Sequence, residues 1–178
     1  KTPYTLAAVS ASLREVAGVV GEKEQGEKLV EAYEKKIQRV RQRCAALPEA
    51  GKNKILPFAS HGQLGAKGSL YDDMCNCIQV HNVVAPIVGT NTSLVLSKEQ
   101  IVAAEPDIIV TVVWDLPEGK KLSKSREIIL HDPAYATLPA IKAGRVVEVP
   151  GKCFYSLSHY VADSLITFAN AVYQDAKL

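Results

Sequence analysis

The segment Leu96–Trp114, LSKEQIVAAEPDIIVTVVW, constrains the fold of this chain more than any other part of the sequence. Ser97 is a good helix cap, and Gln100 three positions later completes the pattern of a capping box. The Glu-Pro pair at 105–106 then ends the helix, because a residue before proline is disfavoured in helical geometry. Ile108–Trp114 lacks polar alternation, which predicts a strand buried on both faces, as in parallel sheets between helices.

Helical and extended patterns alternate along the rest of the chain. Apolar spacings of three and four predict a helix from Leu6 to Val20. A second helix over residues 22–46 would be about 37 Å long. Strands are predicted at Lys54–Ala59 and Arg145–Val149. We therefore predict an α/β fold, a three-layer sandwich with a mostly parallel central sheet, preceded by a long backbone helix.

Shorter elements complete the predicted order. They are a helix over 70–80, an edge strand or turn at 82–84, a loop over 115–125, a helix that starts at Asp132-Pro133 and ends at Gly144, a loop over 150–158 and a terminal helix over 161–176.

Composition and charge argue against some classes of function. The chain has 178 residues, of which 47% are hydrophobic, so one full core is expected. A net charge of +2 without a basic block argues against a nucleic-acid-binding protein. No run approaches the ~18 apolar residues of a membrane span. No signal peptide is visible, but the chain starts inside a helical pattern, so a processed or truncated start is expected.

The cysteines do not identify a metal or redox site. Cys44, Cys75, Cys77 and Cys153 have neither zinc-ligand nor thioredoxin spacing. Free thiols that are buried or partly buried are the favoured interpretation. A disulfide stays open as an alternative if the protein is exported.

The sequence contains no recognisable catalytic motif. The nucleophile elbow G-x-S-x-G, the zinc-protease motif H-E-x-x-H and the dinucleotide motif G-x-G-x-x-G are all absent. In the glycine-rich stretch 60–69, Lys67 precedes Gly68, so the order of a phosphate-binding loop is not met. Asp72 and Asp73 are adjacent and point about 100° apart on a helix, which excludes a catalytic dyad. We therefore expect a binding protein and not an enzyme.

Candidate ligand contacts follow the strands, because open α/β sheets bind ligands at the carboxyl ends of their strands. This rule selects Ser60, His61 and the glycine-rich loop after the first strand, Trp114 and Asp115 after the central strand, and residues 154–159 after the last strand, with Tyr71 close behind. From this set we predict His61, Tyr71, Trp114, Tyr155 and His159 as ligand-binding residues.

The residue types in this set favour an aromatic ligand site. An aromatic wall suits a planar macrocycle or a catecholate, and a Tyr or His side chain could ligate haem iron. Ordinary packing remains the alternative for Trp114 and Phe154, and an exposed loop position for Tyr155. A metal site formed by His61 and His159 is less favoured.

Four segments in order resemble a known family, the substrate-binding proteins of ABC importers for iron-siderophores, haem and cobalamin. LREVAGVVGEKEQGEKLVEAYEKKIQRV is similar to the inter-lobe helix region, and Gly68, Ser69 and Asp72 match a GS-x-x-D segment. LSKEQIVAAEPDIIV resembles the family's most recognisable block, and DPAYATLPAIKAGRVVEVP its closing helix and strand. Together they cover nearly the whole chain and resemble the C-terminal lobe.

This resemblance implies a domain organisation and a set of partners. Residues 1–50 would be the helical lead-in with the inter-lobe helix, and residues 51–178 the C-terminal α/β lobe. The N-terminal lobe would be absent, which favours a piece of a longer protein over a natural half-protein. The ligand would be a metal chelate, namely a ferric siderophore, haem or cobalamin, with no covalent cofactor. The partners would be an ABC permease and the missing lobe, in an extracytoplasmic location.

The resemblance also assigns a role to Glu99. A glutamate at this place in the SKEQ block pairs with arginines of the permease in that family, although a carboxylate in a first helical turn also suits the helix dipole. One departure affects ligand recognition, because Ser158, His159 and Tyr160 stand where the family has a Pro-Arg pair. The resemblance therefore does not extend to an anion contact through that arginine.

Two alternatives remain at this stage. A free transition-metal receptor of the same architecture would need three or four convergent His and carboxylate ligands. An intracellular sensor or regulatory domain with a flavodoxin-like sheet would show the same order of strands and helices.

Overall fold

A parallel sheet organises the part of the chain that the computed structural model describes, which is residues 5–59, 65–90, 95–115, 121–122, 124–156 and 158–174. Its strands are β1 (Lys54–Phe58), β2 (His81–Asn82), β3 (Ile108–Asp115), β4 (Lys121–Leu122) and β5 (Val146–Pro150). Four of them run parallel in the order β2, β1, β3, β5. β4 pairs antiparallel with the end of β3. The prediction of a mostly parallel sheet is confirmed.

Helices cover both faces of this sheet. They are α1 (Leu6–Val19), α2 (Lys23–Ala45), α3 (Leu70–Cys77), α4 (Ala85–Val88), α5 (Lys98–Ala104), α6 (Lys124–His131), α7 (Pro139–Lys142), α8 (Lys152–Tyr155) and α9 (Val161–Val172), with a 3-10 turn at Pro133–Tyr135. One core cluster joins the sheet to α1, α2, α3, α8 and α9. The other joins it to α4, α5, α6, the 3-10 turn and α7. This is the predicted three-layer single lobe.

Strand β3 is buried on both faces, as its apolar sequence predicts. Side chains from Ile108 to Val112 are between 0% and 6% exposed. Because successive strand residues point to opposite faces, Ile108, Val110 and Val112 enter the cluster that contains α9, while Ile109 enters the cluster that contains α5. The chain therefore needs both helical layers to bury this one strand.

The helix that leads into β3 has the predicted start and end. The Ser97 hydroxyl accepts from the Gln100 backbone at 3.2 Å, and the Gln100 side chain accepts from the Ser97 backbone at 2.9 Å. These two bonds form a capping box. At the other end Glu105 takes a left-handed conformation with φ of 45°, and Pro106 follows.

The long helix α2 packs along the lobe with one apolar stripe. It has 23 residues, which is about 34 Å at 1.5 Å per residue. Val30, Tyr33 and Ile37 are buried on it, and the Tyr33 hydroxyl donates to the carbonyl oxygen of Leu6 in α1 at 3.0 Å. Helices α1 and α2 thus belong to the same core as the sheet. The role of residues 1–50 as a link to a second lobe stays a prediction.

Two loop predictions are wrong. The segment 115–125 is not an uninterrupted loop, because β4 pairs with the end of β3 and α6 starts at Lys124. The segment 150–158 contains α8, a single turn that buries Cys153 and Phe154. Both β4 and α8 are too short to show a period in the sequence.

The predicted helix from Asp132 to Gly144 is two separate pieces. The 3-10 turn at Pro133–Tyr135 stops, and α7 begins only at Pro139. Leu138 has a ψ of 137° because the proline ring that follows excludes helical geometry at that residue. Pro139 also lacks the N–H that would continue a helix. Gly144 ends α7 with a φ of 65°, as predicted.

All four cysteines are free and buried, which confirms the favoured interpretation. Cys44, Cys75, Cys77 and Cys153 are each 0% or 1% exposed. Burial raises the pKa of the Cys44 thiol to about 11. Within the described ranges, none of the helices is both long and apolar enough to cross a membrane.

These thiols should react slowly in the native protein, because the thiolate is the reactive form and burial keeps both water and reagent away. We expect almost no reaction with Ellman's reagent under native conditions, and four reactive thiols after denaturation without reductant. Absorbance at saturation measures both numbers. A rapidly reacting native thiol, or fewer than four in the denatured chain, would contradict the buried free-thiol arrangement.

Gly26 marks the closest approach of α1 and α2. A Cβ atom placed at Gly26 would collide with the Cβ of Ala17, so the two helices meet through the missing side chain. We expect Gly26→Ala to destabilise the protein by roughly 1–3 kcal/mol through overpacking. We expect this loss even though the intrinsic helix propensity of alanine is more favourable than that of glycine by about 1 kcal/mol.

Gly18→Ala is the matched control for this prediction. Gly18 lies in α1, and a Cβ there would meet no atom within 4 Å. Urea denaturation of both variants should show a loss of stability only for Gly26→Ala. Equal or greater stability of Gly26→Ala would show that the two helices do not depend on this contact.

Candidate functional site

The carboxyl ends of β3 and β5 form the edge where the predicted ligand residues meet. These two strands pair as far as Val113 opposite Pro150, so Trp114 and Gly151 are the next residue on each strand. Trp114 continues the alternation of Val110 and Val112, which places its ring on the face that α8 and α9 cover. At this position the helical layer ends, and 44% of the Trp114 side chain is exposed.

Tyr155 completes an exposed aromatic pair with Trp114. The ring centroids are 5.3 Å apart and the planes are inclined by 36°. Tyr155 is 50% exposed, while its neighbours Cys153 and Phe154 on the same turn are buried. The single turn of α8 therefore anchors its inner side in the core and presents Tyr155 beside Trp114. Burial of part of the ring raises the pKa of Tyr155, so the phenol stays neutral at physiological pH.

The structure places Tyr71 in the core, below this pair. Its side chain is 3% exposed, and its ring packs edge-on against Phe154 at 5.1 Å and tilted against Phe168 at 5.5 Å. The hydroxyl group is buried beside the Cys75 thiol and has no nitrogen or oxygen partner among the described residues. Burial raises the pKa of Tyr71 well above the ordinary tyrosine value. Its ligand role stays a prediction, and its described contacts are those of a packing residue.

Of the two predicted histidines, only His159 lies among the described residues. His159 is half-buried in the turn before α9, and its ring lies 4.1 Å from the ring of Tyr160. Tyr160 is 61% exposed and extends the aromatic surface in this turn. His61 and Ser60 lie outside the described residues. Across the described positions, no group of three His, Cys, Asp or Glu side chains could hold a metal ion.

Glu99 lies on the other helical layer, in the first turn of α5, and is exposed. A hydrogen bond from Ser97, with a second from its own backbone N–H, holds the pKa of Glu99 below its usual range. The neighbouring Lys98 is engaged elsewhere, because its ammonium lies 2.5 Å from a carboxylate oxygen of Asp132. Glu99 has no ion-pair partner among the residues that are described, so it presents an anionic carboxylate to solvent.

Glu99 and Trp114 lie on α5 and β3, which follow one another in the chain. Helix α5 feeds directly into β3, so its end lies near the start of β3. Glu99 and Trp114 lie on opposite faces of the sheet.

A groove of about 810 Å³ lies elsewhere, along the edge strand β2. It reaches Lys54, the first residue of β1, and Ala104, the last residue of α5. Lys54 and Ala104 belong to the amino end of the sheet, while Asp72 and Gln100, in the first turns of α3 and α5, also line the groove. None of the predicted ligand residues lines it. We therefore place the candidate site at Trp114 and Tyr155 and not in this groove.

Sequence reasoning missed Gly151 as part of this region. The loop predicted over 150–158 contains Gly151 directly after the last strand, but no role for Gly151 was predicted. The close contact of Gly151 with Trp114 could not be predicted from the sequence, because it joins residues that are far apart in the chain.

Comparisons with known proteins agree with this description. A family model described as periplasmic binding protein matches residues 2–153. No curated protein sequence matches the chain.

Several solved structures have the same fold. A periplasmic heme-binding protein, RhuT from Roseiflexus, is 21% identical with a TM-score of 0.76, over 97% of this chain and 64% of its own. IsdE from S. aureus, solved with heme, is 15% identical with a TM-score of 0.77, over 96% of this chain and 66% of its own.

A third structure, from an ABC-type Fe³⁺-hydroxamate transport system of Saccharomonospora viridis, is 12% identical with a TM-score of 0.73. The match covers 97% of this chain and 57% of that structure's chain. The chain thus spans between 57% and 66% of these three structures. At such identities the likeness concerns the fold alone.

Proposed function

The chain belongs to the periplasmic binding protein family, and on this premise we propose that it is the C-terminal lobe of a substrate receptor of an ABC importer. The cargo that we propose is a metal chelate, with haem first and a ferric siderophore or cobalamin as the other members of the class. The location would be extracytoplasmic, either free in a periplasm or lipid-anchored at the cell surface. The family and its structural neighbours are binding proteins, not enzymes.

The exposed Trp114–Tyr155 pair is the observation that supports this cargo most directly. Two aromatic side chains, 44% and 50% exposed, lie side by side at the carboxyl edge of the sheet. Their planar faces match a planar conjugated ligand, and such contacts contribute about 0.5–1.5 kcal/mol per pair beyond burial of area. The heme-binding descriptions of two neighbours support haem as the first choice.

Capture of the cargo would use two lobes. This lobe supplies one wall of the cleft through Trp114 and Tyr155, with His61 and His159 as further contacts from the loops around it. The N-terminal lobe would supply the other wall, joined through the lead-in of residues 1–50, with hinge motion of the kind that binding proteins use. Glu99 would then contact cationic side chains of the permease, an interaction that orients the complex more than it adds affinity.

Native mass spectrometry of the full-length protein tests this function. The protein is mixed in turn with haemin, cobalamin, a ferric hydroxamate and a ferric catecholate. We expect one of them to add its mass to the protein at micromolar concentration. Binding of none would overturn the proposed cargo class while leaving the fold and family unchanged.

Two substitutions of Tyr155 distinguish a stacking contact with haem from ligation of its iron. We expect Tyr155→Ala to weaken haemin binding roughly three- to tenfold, because a stacking face is lost. Tyr155→Phe is the matched control, since it keeps the ring and removes only the oxygen. An unchanged haem absorption spectrum with Tyr155→Phe would indicate stacking, and a changed spectrum would indicate ligation through oxygen. Wild-type affinity in Tyr155→Ala would remove Tyr155 from the site.

Glu99 tests the contact with the permease. We expect Glu99→Ala to leave ligand affinity unchanged and to reduce the rate of uptake in cells, because the docking carboxylate is lost while the ligand edge is intact. Glu127→Ala is the matched control, since Glu127 is another exposed glutamate in the first turn of a helix on the same layer. Full uptake in Glu99→Ala, or an equal loss in Glu127→Ala, would contradict a specific docking role.

A further inference from the structure

The Trp114 ring lies flat on the backbone of Gly151. A Cβ atom placed at Gly151 would fall within 2.6 Å of three adjacent carbons of the six-membered ring, Cε3, Cζ3 and Cη2. The three distances are nearly equal, whereas an approach in the plane of the ring would leave the outer carbons clearly farther than the middle one. The Gly151 position is therefore above the face of the ring.

Glycine is needed here for space and not for backbone conformation. Gly151 has a φ of −53° and a ψ of −36°, which any residue adopts without strain. Its backbone is also held in place, because its N–H donates to the carbonyl of Val113 at 2.9 Å and its carbonyl accepts from Phe154 at 3.1 Å. A side chain at this position could not be accommodated by a shift of the backbone alone, so the Trp114 ring would have to move.

We propose that Gly151 is a positioning residue of the ligand site, which sets the orientation of the Trp114 ring beside Tyr155 and thereby forms a continuous aromatic surface for a planar conjugated ligand. This inference rests on the proposed function for its ligand. The positioning step itself rests on the contact between Gly151 and the ring. Gly151 acts on the ligand only through Trp114, so its effect should vanish when that ring is removed.

Fluorescence of the full-length protein measures the positioning step without a ligand. Trp114 is the single tryptophan of this chain, so its emission reports the ring directly when any tryptophan elsewhere in a longer protein is replaced by phenylalanine. We expect Gly151→Ala to change the emission maximum and to increase quenching by acrylamide, with unchanged far-ultraviolet circular dichroism. Gly18→Ala is the control, because a Cβ there meets nothing within 4 Å.

A double-mutant cycle with haemin measures the effect on binding. We expect Gly151→Ala to weaken haemin binding roughly three- to tenfold, as for loss of one stacking contact. In the Trp114→Ala background the same substitution should have no further effect, because the ring that it displaces is gone. If Gly151→Ala fails to fold, the Trp114→Ala background should restore the fold by removing the collision, and melting temperatures would show this.

The outcomes separate this inference from the proposed function. Unchanged Trp114 emission and quenching in Gly151→Ala would overturn the positioning role. The same loss of haemin affinity in the wild-type and Trp114→Ala backgrounds would overturn it as well, since the effect would then be independent of the ring. If the wild-type protein binds no haemin but the fluorescence changes as expected, the positioning contact stands and the haem assignment fails.

Discussion

The burial of β3 on both faces is the constraint on which the rest of the lobe depends. From Ile108 to Val112 the strand has no exposed side, and its side chains alternate between two separate core clusters. A strand of this kind is stable only between two helical layers, since apolar side chains on either face would otherwise remain in water. The parallel neighbours β1 and β5, and the helices that return the chain between strands, follow from that requirement. So does the position of the candidate site, because β3 first presents an exposed side chain at its carboxyl end, at Trp114.

Close packing through small residues then sets the geometry of the parts that the sheet does not fix. At Gly26 the missing side chain lets α1 and α2 meet, and at Gly151 it lets an aromatic ring lie on the backbone. The first contact joins the two helices of the lead-in to each other, and the second lies beside Tyr155. In both places an added methyl group has no room, so a substitution by alanine would have to displace a neighbouring helix or ring.

The two functional surfaces of the proposal use different layers of the same sandwich. Trp114 and Tyr155 lie on the face that α8 and α9 cover, while Glu99 starts α5 on the opposite face. A ligand at Trp114 and Tyr155 and a membrane partner that contacts Glu99 would therefore not compete for the same side chains. The chain spans no more than 66% of the length of the three neighbours described above, and a cleft formed with a second lobe is part of the proposal.

The features that depend on local chemistry could be predicted from the sequence. The capping box of Ser97 and Gln100, the end of α5 at the residue before Pro106, and the double burial of β3 all arise within one segment, so short-range patterns predicted them. Trp114 and Tyr155 were also predicted as ligand residues, because strand ends are recognisable in the sequence. Only the tertiary structure decided that these two rings meet, that Tyr71 packs in the core, and that Gly151 supports the Trp114 ring. The physical reason is that each of these contacts joins side chains from different strands and helices, whose distances are set by packing and not by spacing along the chain.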